Sequence, residues 1–287
     1  MKYYLDTEFL EGTQKKWFGK TKPIIDLISI GIVSEDNREY YAISKDFNLK
    51  EAWNRFQMKQ VYGDMRNRYP DGVKEYWIRE NVLRPIFDEL LKRFDAESSK
   101  SLRMGIYIGT IVNPDFSYKV MKYLINRYGK TNNQIAIEVE RFVDNGQMSK
   151  VVSKEGEEIG HVLYYKEHDD FVDDFKNKNE GYTEIKETPV QFYTYYGAYD
   201  WVVFCWLFGK MIDLPKGFPM FSIDLKVMLD DCIEKINNYS RSDERMPKVT
   251  AKSMKENNPR YPKQENLHNA LDDARWNLKL HQFIEGL

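Results

Sequence analysis

Two carboxylates near the amino terminus, Asp6 and Glu8, are the first residues whose types and spacing suit chemistry. They lie in an apolar segment that predicts a strand, where residues two apart share a face and stand about 6–7 Å apart. Like charges held this close repel each other unless something neutralises them. A divalent cation such as Mg²⁺ or Mn²⁺ does so through hard oxygen ligands, although an ordinary edge strand with solvated acids explains the pair equally well.

Two further acids and one histidine extend this pattern along the chain. Asp200 follows a strongly apolar segment and opens a predicted helix, and Asp273 follows His268 in the last predicted helix. Alone, each has a structural explanation, as a helix cap, an acid near a helix amino terminus or a core histidine. The joint pattern is more specific, because it places Asp-x-Glu on a strand, Asp at a strand–helix junction and His-x-Ala-x-x-Asp at a helix start.

The composition predicts a globular protein without a global basic field. The 287 residues are 42% hydrophobic and 31% charged, with a net charge of −2, so a nucleic-acid ligand would need a local basic groove. The two cysteines, Cys205 and Cys232, provide no disulfide framework and no Cys-x-x-Cys metal pair. We see no basic-then-apolar leader and no apolar run of bilayer length, so the expectation is a cytoplasmic protein without a membrane partner.

Hydrophobic periodicity predicts a single α/β domain that opens with an antiparallel meander. The predicted strands cover 3–9, 24–33, 38–43, 106–108, 190–196 and 220–223, with a hairpin over 147–166. The predicted helices cover 86–91, 117–128, 132–143, 201–208, 225–236 and 269–283. Ser98 and Ser99 indicate a loop, and residues 238–266 indicate a long, partly mobile basic surface loop.

In motif order and residue identity, the chain resembles the DEDDh branch of the DnaQ-like 3′–5′ exonucleases. The resemblance is strongest to the RNase AS group of exoribonucleases, which prefer adenylate RNA. It covers roughly residues 1–95, 131–144 and 189–287, and rests on the segments 6–9, 25–31, 38–42, 77–79, 197–200 and 268–274. The resemblance implies a ribonuclease H-like mixed sheet flanked by helices, with insertions at about 96–130, 145–188 and 238–266.

The resemblance also implies a role for each acidic residue. Asp6, Glu8, Asp200 and Asp273 would hold two Mg²⁺ or Mn²⁺ ions, and His268 would be the general base that deprotonates the attacking water. Two ions stabilise the attacking and leaving oxygens of a phosphodiester, and an imidazole with a pKa near 6.5 suits the base at neutral pH. Asp272 is one residue off the expected spacing and is predicted to face solvent.

Substrate contacts follow from the residues around these motifs. Phe9 and Leu10 are predicted to wall a pocket for the terminal base, with core packing the alternative for Phe9, and Glu11 and Tyr199 are further candidates. Basic residues are predicted to guide single-stranded RNA toward the acids; these are Lys15, Lys16, Lys20, Arg241, Arg245, Lys248, Lys252 and Lys255.

Three functions stay open at this point. The first is a metal-dependent 3′–5′ exoribonuclease that releases nucleoside 5′-monophosphates, with an adenylate preference as a further expectation. The second is a 3′–5′ DNA exonuclease. It stays open because RNA is distinguished from DNA by contacts to the 2′-OH, and no motif in this sequence indicates such contacts. The third is a non-catalytic nucleic-acid-binding protein, against which the intact set of acids speaks. A homodimer is an additional expectation.

Overall fold

A computed structural model describes residues 1–14, 21–59, 72–103, 115–144, 148–152, 158–163, 183–186, 189–239 and 248–287. Its strands are β1 (Lys2–Gln14), β2 (Lys22–Ser34), β3 (Glu39–Ile43), β4 (Gln57–Lys59), β5 (Val73–Glu75), β6 (Met148–Val152), β7 (Glu158–Leu163), β8 (Thr183–Lys186), β9 (Gln191–Thr194) and β10 (Ile223–Asp224). Its α-helices are α1 (Leu49–Asn54), α2 (Arg84–Arg103), α3 (Tyr118–Tyr128), α4 (Asn132–Asp144), α5 (Ala198–Leu207), α6 (Leu225–Tyr239), α7 (Ala251–Asn257) and α8 (Ala270–Glu285).

The central sheet has five strands in the spatial order β10–β9–β1–β2–β3. β1, β2 and β3 form an antiparallel meander, as the sequence predicts. β9 joins β1 in parallel, and β10 joins β9 in parallel, so the complete sheet is mixed. With helices packed against both faces, the predicted α/β class, a ribonuclease H-like sheet flanked by helices, is confirmed.

Alternation along β1 assigns its side chains to the two faces of the sheet. Tyr3 and Leu5 are buried with residues of α4 and α5, whereas Tyr4 is buried with residues of α6 and α8. By the same alternation, Thr7 belongs to the face covered by α5, and Asp6 to the face covered by α8. The strand therefore directs adjacent residues toward two different helices.

A third group of buried side chains holds α1, α2 and α3 against the edge of the sheet. α2 is preceded by a π-helical turn, Arg79–Leu83, directly ahead of Pro85. Proline has no N–H and crowds the carbonyl four residues earlier, so a wider turn accommodates it. Of Asp115 and Ser117, the two residues that could cap α3 by sequence, Ser117 is the cap and accepts a hydrogen bond from the Val120 N–H.

Several predicted boundaries were wrong. β1 does not end at Phe9, as predicted, but continues to Gln14, with a register shift between Glu8 and Phe9 that marks a β-bulge of the kind found beside active sites. Ser98 and Ser99 lie inside α2 rather than in a loop. The predicted strand over 106–108 lies outside the described residues.

The region predicted as one basic surface loop, 238–266, is partly structured. α6 extends to Tyr239, and α7 begins at Ala251 after its N-cap Thr250, whose side chain forms a capping box with Ser253. Met254 of α7 and Tyr261 are buried against α6 and α8, so core packing rather than solvent fixes this part of the chain. The predicted pairing within 147–166 is confirmed as β6 and β7, and β8 adds a third strand to that sheet.

The helices of the described ranges include none that combines the length and the apolarity needed to cross a membrane.

Candidate active site

Three of the predicted acids meet although they are far apart in sequence. One carboxylate oxygen from each of Asp6, Glu8 and Asp273 lies within 4.8 Å of the others. Asp6 and Glu8 come from one face of β1, and Asp273 comes from the first turn of α8, which packs on that face. Such a group of hard oxygen ligands can hold a divalent cation.

Close packing of the sheet against α8 brings these acids together. Gly31 of β2 pairs with Asp6 of β1 in the antiparallel register. A Cβ atom at Gly31 would lie 2.2 Å from the carbonyl oxygen of Ala270, the first residue of α8. Asn277 of the same helix also donates a hydrogen bond to the buried carbonyl of Leu5 at 3.1 Å. The start of α8 is thereby held directly over the acids of β1.

Asp200 reaches the site from the opposite face of the sheet. Its Oδ1 atom accepts hydrogen bonds from the backbone N–H of Thr7 at 2.9 Å and from the Thr7 hydroxyl at 2.6 Å. Thr7 itself is 5% exposed, so both bonds are shielded from water. The charge of Asp200 is close enough to raise the pKa of Asp6. Asp200 does not belong to the group formed by Asp6, Glu8 and Asp273, whose oxygens lie within 4.8 Å of one another.

The buried acids repel one another and resist ionisation. Burial raises the pKa of Asp6 well above its ordinary value, and the neighbouring charges of Asp200, Glu8 and Asp273 raise it further. Burial also raises the pKa of Asp200 to about 6, although the hydrogen bonds from Thr7 act in the opposite direction. A bound cation would reverse this preference, because it stabilises the ionised form of each ligand.

Asp273 is held in place through both of its carboxylate oxygens. The side-chain amide of Gln264 donates to Oδ1 at 2.6 Å, and the backbone N–H of His268 donates to Oδ2 at 3.0 Å. Burial raises the pKa of Asp273, while the bond from Gln264 lowers it. The neighbouring Asp272 instead pairs with Arg275 and Asn266 outside the acid group, so only Asp273 of this doublet joins the site.

His268 stands at the edge of the acid group, as its spacing predicts. Its Nδ1 atom lies 3.7 Å from a carboxylate oxygen of Glu8, and the proximity of Glu8 raises its pKa. Its φ angle of 67° is in the left-handed region, which histidine visits more often than most residues and which recurs at functional sites. The Trp77 ring meets the imidazole edge-on, with 4.7 Å between ring centroids.

The predicted substrate contacts divide into two groups. Phe9 and Glu11 line a cavity that Trp77 also lines, and the ring of Phe9 lies 5.8 Å from that of the exposed Tyr199. Leu10 is 1% exposed and packs in the core with residues of α2 and α3, so it offers no surface to a substrate in this structure.

Two residues that contact the acids lacked a local sequence signal, and some residues predicted to contact the substrate are not described. Thr7 bonds to Asp200, which is 193 residues away, and Gln264 bonds to Asp273, which is nine residues away. No short sequence motif indicates either contact. Of the basic residues predicted to guide RNA, five lie outside the described residues: Lys15, Lys16, Lys20, Arg241 and Arg245. The remaining three, Lys248, Lys252 and Lys255, are exposed in the last described range.

The fold and the site define the class of this protein. It is an α/β protein with a mixed sheet and a group of converging carboxylates at the centre of that sheet. No family model matches the chain. The chain is 32% identical over 111 residues to a 3′-5′ exoribonuclease of Mycobacterium tuberculosis strain H37Rv and, equally, to one of strain CDC 1551. The match covers 38% of this chain and 55% of each relative, so the chain spans about half the length of the curated relatives it matches.

Proposed function

We propose that this chain is a metal-dependent 3′–5′ exoribonuclease of the DEDDh type, similar to the RNase AS group. One observation carries the proposal, namely the convergence of Asp6, Glu8 and Asp273 with His268 beside Glu8. The two mycobacterial relatives, each named a 3′-5′ exoribonuclease, support the reaction type and favour RNA over DNA as the substrate. Release of nucleoside 5′-monophosphates from single strands, with adenylate favoured, is part of the same proposal.

The donor set fits divalent metal ions. Oxygens of three carboxylates lie within 4.8 Å of one another, and burial raises the pKa values of Asp6 and Asp273, so a bound cation would stabilise their ionised forms. Asp6, Glu8, Asp200 and Asp273 would hold two Mg²⁺ or Mn²⁺ ions. When bound, such ions neutralise charge on the scissile phosphate and assist both the attacking and the leaving oxygen.

Other residues of the chain orient the reacting groups. Thr7 fixes the carboxylate of Asp200 through two hydrogen bonds, and Gln264 fixes that of Asp273. His268 takes the proton from the attacking water, and the Trp77 ring lies edge-on to its imidazole. Phe9 and Tyr199 offer aromatic surface to the terminal base, where stacking is worth about 1–3 kcal/mol.

The test is a cleavage assay with Mg²⁺ on 5′-labelled oligoadenylate, mixed-sequence RNA and single-stranded DNA. We expect a ladder that shortens from the 3′ end and releases nucleoside 5′-monophosphates, fastest from oligoadenylate. An oligonucleotide blocked at its 3′ hydroxyl should resist. Cleavage of circular RNA would show an endonuclease, and faster cleavage of DNA would favour the alternative substrate.

We also propose a homodimer, and size-exclusion chromatography with light scattering tests it.

A further inference from the structure

A groove with a mixed polar and apolar lining lies on the surface beside the acids. It is formed by the end of α7 and the segment that leads to α8, and it is lined by Lys255, Asn257, Pro259, Lys263, Gln264 and Leu267, among others. The two lysines, Asn257 and Leu267 are exposed. Amide side chains, ammonium groups and flat apolar surfaces together suit a nucleic-acid strand, which presents phosphates and bases alternately.

This groove borders the candidate active site at two points. Gln264 lines the groove and also donates a hydrogen bond to Asp273 at 2.6 Å. Leu267, which is 55% exposed in the groove, immediately precedes His268. These two points of contact place one end of the groove next to Asp273 and His268.

The charge of this segment is opposite to that of the acid group. Residues 248–267 contain five basic residues and two acids, Glu256 and Glu265. Glu256 also lines the groove, and its carboxylate lies 3.9 Å from the ammonium group of Lys252. In the described structure, neither Lys255 nor Lys263 lies within ion-pair distance of an acid, so both ammonium groups can meet an anion. A chain with a net charge of −2 needs such local cations to attract a polyanion toward four acids.

The backbone of the groove is fixed before any ligand binds. Tyr261 is 8% exposed and packs its ring against Phe283 of α8, and the indole N–H of Trp276 donates to the carbonyl of Pro262 at 3.0 Å. These contacts anchor the segment between α7 and α8 to the core. Lys263 and Lys255 therefore project from a rigid support rather than from a free loop.

The geometry points to this groove as the binding track for the part of the RNA strand 5′ of the nucleotide being removed, with Lys255 and Lys263 on successive phosphates. The inference rests on the proposed function, because it assumes that a 3′ end occupies the acid group. It narrows the sequence-based assignment of strand guidance, which runs from Arg241 to Lys255, to Lys255 and adds Lys263, both of which lie in the described structure.

Binding and cleavage by the full chain test this inference separately. Binding of a labelled oligoadenylate of about 12 nucleotides is measured by fluorescence anisotropy in EDTA over a range of salt concentrations. The variant is Lys255→Ala with Lys263→Ala, and the matched control is Lys119→Ala with Lys122→Ala, which removes two exposed lysines from α3. Turnover of the same oligonucleotide and of a dinucleotide is then measured with Mg²⁺.

We expect the groove variant to bind more weakly and its log–log salt slope to be flatter by about 1.4, at about 0.7 for each phosphate that a lysine no longer neutralises. KM for the long substrate should rise, while kcat and the cleavage of the dinucleotide stay at the wild-type level. The α3 control should match the wild type, apart from a small uniform loss from net charge.

Each contrary outcome has a distinct meaning. If the groove variant keeps the wild-type affinity and slope, or if the control loses as much, the strand does not lie in this groove. If the wild type binds RNA through the groove but cleaves neither substrate, the groove stands and the proposed function fails. If cleavage of the dinucleotide falls with that of the long substrate, the lysines act at the acids and the inference is overturned.

Discussion

Gly31 and Ala270 lie so close together that no other residue fits at Gly31 without movement, since a Cβ atom there would be 2.2 Å from the Ala270 carbonyl oxygen. Gly31 is also the register partner of Asp6, and Ala270 begins the helix that carries Asp273. Because Gly31 has no side chain, α8 packs closely on β2, and this packing determines how closely Asp273 approaches Asp6. A glycine in this position serves the close approach of two backbones.

Gly31→Ala should push the start of α8 away from the sheet. We expect a loss of unfolding free energy of about 1–3 kcal/mol, typical of overpacking, and a larger relative loss of turnover because Asp273 and His268 move together. Urea unfolding and kcat on oligoadenylate measure the two effects. The control is Gly12→Ala in β1, where a Cβ atom would meet only ordinary contacts from 3.4 Å outward. Wild-type turnover in Gly31→Ala would show that this approach does not position the site.

Thr7→Val tests the hydroxyl that holds Asp200. The substitution keeps the branched shape and the backbone N–H but removes the 2.6 Å hydrogen bond, and a bond to a charged group is worth about 1.5–3 kcal/mol. We expect weaker Mg²⁺ activation and a lower kcat, because the carboxylate of Asp200 can rotate. Thr7→Ser keeps the hydroxyl and should restore most of the activity. Equal activity of the Val and Ser variants would assign no role to the hydroxyl.

The raised pKa of Asp200 predicts the pH dependence of stability for the metal-free protein. Folding shifts its pKa from 3.8 to about 6, so between these values the folded state binds more protons than the unfolded state. Stability therefore falls as the pH rises through this window, and the full cost is present above pH 6. Asp200→Asn retains an acceptor oxygen for Thr7 and should be more stable than the wild type at pH 7.5 in EDTA.

That difference should shrink as the pH is lowered from 6 toward 4, since the wild-type carboxylate becomes protonated. Adding Mg²⁺ should stabilise the wild type more than Asp200→Asn, because a ligand that binds only the folded state raises its stability. Thermal unfolding at several pH values, with and without Mg²⁺, measures both effects. A variant that is less stable than the wild type in EDTA at pH 7.5 would contradict the raised pKa.

Local pattern explains why much of the fold could be predicted. The alternation of β1 places Asp6 and Glu8 on one face, and the cap residues Ser117 and Asn269 begin their helices where the sequence indicates. Strand alternation and helix caps are each encoded within a few neighbouring residues, so they can be predicted without knowing the tertiary contacts.

What could not be predicted depends on contacts between distant segments. The bulge after Glu8 is a property of the pairing of two strands, and the sequence of β1 alone does not show it. Gln264 lies in a polar stretch that predicts a surface loop, and only the burial of Met254 and Tyr261 beside it brings its amide to Asp273. Sequence therefore indicated the ligands of the candidate site better than the residues that hold them.

His268→Asn separates proton transfer from the backbone geometry of the site. Asparagine adopts the left-handed conformation readily, so the φ of 67° and the backbone hydrogen bond from residue 268 to Asp273 should persist. The variant has no group that can accept a proton at neutral pH. We therefore expect kcat to fall by about 10²–10⁴-fold while RNA affinity in EDTA and the stabilisation by Mg²⁺ remain at the wild-type level.

His268→Ala provides the second variant, because it also lacks the base but is less suited to a positive φ. If both variants lose turnover equally and the Asn variant alone keeps wild-type stability, the loss of turnover comes from the missing imidazole and not from the backbone. Single-turnover cleavage of oligoadenylate with Mg²⁺ measures the chemical step without product release. Turnover within a few-fold of wild type in His268→Asn would assign the general base to another group, and the Glu8–His268 pair would then have a purely positioning role.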